Sequence, residues 1–115
     1  MRRFALVFTV LVSILVSRAQ AHAMLDHASP AVGSTVAAAP KEVLLWFSEQ
    51  LEPAFSTIEV HDARGAAVQA GTATVDPANH SELHISLKGL PPGTYKVIWH
   101  VLSVDTHRTQ GGFFL

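Results

Sequence analysis

The chain has 115 residues, with nine Asp and Glu, eight Lys and Arg, seven His and no Cys. That length allows one domain at most, and the lack of cysteine excludes disulfide staples and every metal site built on thiolate. The acidic balance is a poor one for neutralising phosphates, so nucleic acid is excluded as a partner.

The first element is an export signal. Arg2 and Arg3 form a positive n-region, and "FALVFTVLVSILV", Phe4 to Val16, is an apolar run of 13 residues. A bilayer span needs about 20 apolar residues. Followed by small residues, the run reads as a secretory signal peptide rather than an anchor. The next stretch, "SRAQAHAMLDH", Ser17 to His27, offers two overlapping small-x-small cleavage triplets, Ala19-Gln20-Ala21 and Ala21-His22-Ala23. The c-region of "RAQA" favours the first. The expected organisation is a signal peptide over 1–21 and a mature domain over 22–115 whose first residue is His22. Removing Arg2, Arg3 and Arg18 leaves five basic residues against nine acidic ones, a formal charge of −4. No second long apolar run follows, so a soluble mature chain is expected.

Beyond Ala23 no helical period is sustained. "TVAAAPKE" has room for one helical turn, which Pro40 would end. "VLLWFSE", from Val43, is a short apolar run closed by polar residues. In "STIEVHD" Ile58 and Val60 face one way, Glu59 and His61 the other. "ARGAAV" holds a turn at Arg64-Gly65, and "GTATVDPAN" a brief strand ended by Asp76-Pro77. In "SELHISLKG" Leu83, Ile85 and Leu87 share a face, with His84 and Ser86 outward. "LPPGTYKVIWHVLSV" turns at Pro91-Pro92-Gly93 and then alternates Tyr95, Val97, Trp99 and Val101 with Lys96, Ile98, His100 and Leu102. Short strands separated by turn signals predict an all-β fold: a small antiparallel Greek-key β-sandwich of immunoglobulin-like type.

Three residues carry the chemistry on this scaffold. Asp105 and His107, in "SVDTHRT", project from one face if that stretch is extended. A D-x-H triplet alone is weak evidence, since such triplets arise by chance in loops. His22 changes this. As a free N-terminus it offers its α-amine and its own imidazole, which together close a chelate ring around a metal. The amine titrates near 7.7–8.0 when unperturbed and loses its proton readily to a strong Lewis acid. One amine, two imidazoles and a carboxylate form a nitrogen-rich donor set, and Cu(II) favours tetragonal nitrogen and oxygen donors. Softer Cu(I) would want a thioether or thiolate. Beyond the initiator, the chain offers only Met24.

With these pieces in view the sequence resembles the CopC family of periplasmic copper-binding proteins. The resemblance rests on "HAMLDHASPAVGS", "PKEVLLWFSEQL", "LPPGTYKVIWHVLSVDTH" and the trailing "GGFF", in that order, and spans essentially the whole mature chain. It implies a cupredoxin-like or immunoglobulin-like β-barrel, a periplasmic location and one Cu(II) per chain. The family's site, carried across position by position, falls on His22, Asp105 and His107. His22 would give the amine and an imidazole, and His107 a second imidazole. Asp105 would supply an oxygen or orient a bound water. The resemblance also implies copper buffering or delivery for resistance, homeostasis or import, a monomer, and a separate inner-membrane copper transporter of CopD-like type as partner.

Two departures from the family stand out. The methionine-rich Cu(I) loop of some members is missing, so no such site is assigned. The last strand usually runs past the F-x-F region, whereas this chain stops at Leu115, so a shortened closing strand is expected.

Other readings concern the remaining residues. His27 is expected on the solvent face of the first strand, with His61, His84 and His100 facing outward and His80 in a loop. Whether His61, His84 and His100 gather into a Zn(II) or Ni(II) site depends on strand order. Trp46, Phe47, Tyr95 and Trp99 are expected in the core rather than as a carbohydrate platform. The alternatives to a copper carrier are a histidine-brace copper monooxygenase acting on polysaccharide and a metal-free immunoglobulin-like module. No catalytic residues are assigned.

Overall fold

The computed structural model describes residues 23–115. The expected signal peptide and His22 lie outside them.

Seven strands form among the described residues: β1 (Leu25–Ser29), β2 (Glu42–Phe47), β3 (Thr57–His61), β4 (Gln69–Asp76), β5 (Asn79–Leu87), β6 (Lys96–Leu102) and β7 (Arg108–Phe114). They make a four-stranded sheet in the order β1-β2-β5-β4 and a three-stranded sheet in the order β3-β6-β7. Every pairing is antiparallel. The chain crosses between sheets from β2 to β3, back from β3 to β4, and again from β5 to β6. The result is the expected Greek-key β-sandwich. None of the described residues forms a helix long and apolar enough to cross a membrane.

Side-chain alternation builds the core. Val43, Leu45 and Phe47 of β2 and Leu83 and Ile85 of β5 face inward from one sheet. Ile58 and Val60 of β3, Val97, Trp99 and Val101 of β6 and Phe113 of β7 face them from the other. Phe47 meets Trp99 edge to face across the sandwich, with ring centroids 5.1 Å apart, a favoured geometry for aromatic pairs. The indole of Trp99 packs against Gly111 of its neighbour β7, where a Cβ would come within 2.6 Å of Trp99 Cζ2.

Four expectations change. Trp46 is not a core residue. Successive strand residues point to opposite faces, so Phe47 takes the core and Trp46 the outer face. There it stacks on His27 at 4.4 Å and donates its indole N–H to Glu82 Oε1 at 3.1 Å. "TVAAAPKE" forms no helix, because so short a segment cannot offset helix nucleation. His80 lies within β5 rather than in a loop. The closing strand is not shortened, since all seven residues of β7 pair with β6.

Candidate metal centre

Asp105 and His107 lie in the turn joining β6 to β7, and the turn is not extended. Thr106 between them has φ 73°, the left-handed region that a β-branched residue rarely enters. Thr106 N–H closes the turn by donating to Ser103 O at 2.9 Å. The two side chains meet through this reversal rather than through strand alternation. His107 Nδ1 comes to 3.3 Å from Asp105 Oδ1, and the two side chains remain 45% and 40% exposed. A carboxylate and an imidazole therefore stand side by side, open to solvent.

Ser103 organises the pair. It is fully buried. Its hydroxyl donates to Asp105 Oδ1 and accepts the His107 N–H at 3.3 Å. Its own N–H donates to His107 O at 3.0 Å. The Ser103 hydroxyl, and after it the His107 ring, hold the Asp105 carboxyl below the usual carboxylate range. Partial desolvation pushes the other way and is outweighed. Across neutral pH this carboxylate is ionised, as a ligand must be. Sequence reasoning passed over Ser103. The signal was present in its place two residues before Asp105, where serine and threonine hydroxyls commonly bond into turns.

The described chain starts beside this turn. Ala23 is fully buried, and its carbonyl accepts a hydrogen bond from Thr109 Oγ1 at 2.8 Å. Thr109 lies two residues past His107. Met24 is then fixed to Ser48: its N–H donates to Ser48 Oγ, and its carbonyl accepts from Ser48 N–H, both at 2.9 Å. From Ser48 the chain runs to Gln50, whose carbonyl accepts from Val104 N–H at 3.0 Å. The entering chain, the segment after β2 and the β6–β7 turn are thus tied together at one end of the sandwich.

His61, His84 and His100 do not gather with one another. His84 lies on β5 in the four-stranded sheet, whereas His61 and His100 lie on β3 and β6 in the three-stranded sheet. Strand order therefore separates His84 from the other two, and the β3–β6 register, which sets His100 opposite Thr57 and His61 opposite Lys96, separates those. His27 takes the solvent face, as expected, with its Nδ1 at 2.7 Å from Asp26 Oδ2. Among the described residues, no three His, Asp or Glu gather closely enough to hold a metal ion. Asp105 and His107 are a pair with no third such residue gathered beside them among the described residues. The sequence expectation for a further donor, His22, lies outside the described residues.

A family model described as the CopC domain matches residues 25–114. Protein YobA of Escherichia coli strain K12 is 36% identical over 102 residues, spanning 88% of this chain and 82% of that protein. Copper resistance protein C of Pseudomonas syringae pv. tomato is 37% identical over 108 residues, spanning 81% of this chain and 78% of that one. Among solved structures, that of CopC from Methylosinus trichosporium OB3b superposes with a TM-score of 0.76 at 36% identity. It matches 81% of this chain and 90% of that one.

Proposed function

The chain belongs to the CopC domain family, and from that premise we propose that it captures one Cu(II) ion per chain in the periplasm. The ion is cargo, buffered or passed to a separate membrane transporter, and no turnover is required. Signal peptide 1–21 is removed, and the new N-terminus is His22. Its amine and imidazole, the imidazole of His107 and the carboxylate of Asp105 hold the ion. These donors match the tetragonal nitrogen and oxygen preference of Cu(II).

The observation that carries this reading is the bond from Thr109 to Ala23 O. One peptide bond, about 3.8 Å between α-carbons, separates Ala23 from position 22. The anchored Ala23 lies against the strand that begins one residue after His107. The described start of the chain and the Asp–His pair thus share one end of the sandwich, which supports a ligand role for position 22. The exposure of the pair supports exchange with solvent and partners, as a carrier requires.

Each residue has a distinct part. Ser103 aims Asp105 and lowers its affinity for a proton, Thr109 fixes the entering chain, and the two histidines supply the nitrogens. The test is a Cu(II) titration of exported protein whose intact mass establishes His22 as the first residue. Wild type should bind one equivalent, and His22→Ala should bind far more weakly. Equal binding by the two proteins would overturn the reading.

A further inference from the structure

The two sheets divide the charges of the sandwich unequally. The strands of the four-stranded sheet carry Asp26, Glu42, Asp76 and Glu82 and no Lys or Arg. Those of the three-stranded sheet carry Lys96 and Arg108 against Glu59 alone, and Glu59 Oε1 lies 3.0 Å from His61 Nε2. The three-stranded sheet is therefore the basic side of an acidic chain.

A groove of about 360 Å³ opens on this side, lined by Phe55, His100, Val101, Arg108, Thr109 and Gln110. Arg108 and Gln110 stand two apart on β7, so their side chains leave one face, and Gln110 pairs in register with His100. All three are exposed, and no ion pair among the described residues includes Arg108. Phe55 is 57% exposed, yet its short turn, Pro53–Phe55, is fastened on both flanks. Glu52 N–H donates to Leu102 O at 2.8 Å, and Leu102 N–H donates to Ser56 Oγ at 3.3 Å. The buried Ser56 hydroxyl donates in turn to Glu52 O at 2.9 Å. An aromatic ring is thus presented to solvent on a backbone that binding need not order, opposite an arginine that no carboxylate engages.

We propose that this groove docks an acidic and apolar segment of a protein partner. A side-chain carboxylate of the partner takes the guanidinium fork of Arg108, His100 and Gln110 offer further hydrogen bonds, and a neighbouring apolar side chain packs on Phe55, an anchor of the kind that dominates interfaces. A lysine or arginine in place of that carboxylate would meet Arg108 as a like charge. The groove is small, which suits a transient encounter. Arg108 directly follows His107, and Thr109 of the groove also fixes Ala23. The docked segment therefore sits beside the proposed copper centre, as a receiver of the ion requires. The inference rests on the Cu(II) reading for the partner's role as receiver, whereas docking itself needs no metal.

The experiment follows the amide NMR spectrum of metal-free, processed protein during titration with a capped peptide of alternating glutamate and leucine. The counterpart with lysine for glutamate is the control. The acidic peptide should shift Phe55, His100 and Arg108 to Gln110 and bind at least about tenfold more tightly than the basic one, the scale of a charge-assisted hydrogen bond. Added salt should weaken it. Arg108→Glu should lose the acidic peptide and gain the basic one, an exchange that mere damage to the fold would not produce. Phe55→Ala should weaken the acidic peptide about tenfold while binding Cu(II) as wild type does, since every proposed donor is retained. Equal binding of the two peptides, no binding of the acidic one, or shifts confined to the four-stranded sheet would overturn the proposal. So would shifts of the groove residues by anionic phospholipid vesicles or by raised protein concentration in place of the peptide, which would make the occupant a membrane or a second copy. Docking by a protein that fails to bind Cu(II) would remove the copper reading and leave the groove. Cu(II) binding without docking would do the reverse.

Discussion

Ser103 makes four of the contacts that shape the β6–β7 turn, although it is not itself one of the proposed ligands. Its hydroxyl is the largest cause of the depressed Asp105 titration. A carboxyl that binds its proton less readily when folded than when unfolded contributes stability above the unfolded carboxylate range. That contribution is lost as pH falls through the depressed value. Ser103→Ala should therefore raise the Asp105 titration midpoint toward the ordinary range, followed by carboxyl carbon NMR of the metal-free protein. It should also lessen the loss of stability on acidification below the ordinary carboxylate range. Cu(II) affinity should drop about 10- to 100-fold, as when partners that orient metal ligands are removed. An unmoved midpoint would show that Ser103 does not govern the carboxylate. The Asp and His became candidates only beside His22 and the family resemblance, since a D-x-H triplet alone arises by chance in loops. Ser103 left only a weak signal, its place two residues before Asp105, because that place does not say that a turn folds back over the serine to hold the carboxylate.

The strand that follows the turn has two duties, and its residues divide them. Thr109, near its start, fixes Ala23. Thr109→Val keeps the shape and removes the donor, at a net cost of about 1 kcal/mol for a typical hydrogen bond. If the entering chain is loosened by that amount, Cu(II) affinity should fall by about fivefold, read by competitive titration. Gly111, mid-strand, lets Trp99 lie against the backbone. Gly111→Ala should destabilise the fold by about 1–3 kcal/mol through overpacking, measured by denaturant unfolding. An unchanged midpoint would show that the indole moves aside freely. Alternation made most strands readable: the inward sets of β3, β5 and β6 follow the apolar residues directly. It gave no answer in the continuous apolar run of β2, where Trp46 and Phe47 cannot both face inward. The turn holding Asp105 and His107 was also hidden, because a positive φ at threonine has no sequence signature.

At the scale of the molecule, the sandwich separates its histidines and assembles one end. Histidines 61, 84 and 100 are distributed over two sheets, a partition that depends on strand order and that no local pattern reveals. At one end, three stretches distant in sequence are joined by hydrogen bonds: Ala23–Met24, Ser48–Gln50 and Ser103–Thr109. The fold class followed from turn spacing and alternation, and the proposed donors from the family resemblance. The structure supplies the Asp105–His107 separation, while His22 lies outside the described residues. What makes the arrangement a Cu(II) centre, on this account, is a free amine at His22 rather than an amide. The most direct measurement compares Cu(II) titrations, with electron paramagnetic resonance, of protein beginning at His22 and protein carrying one additional alanine before it. Every side chain is then retained and only the amine becomes a peptide nitrogen. The account predicts that the extended protein loses tight binding and the spectrum of the parent centre. Identical affinity and an identical spectrum in the two proteins would contradict it.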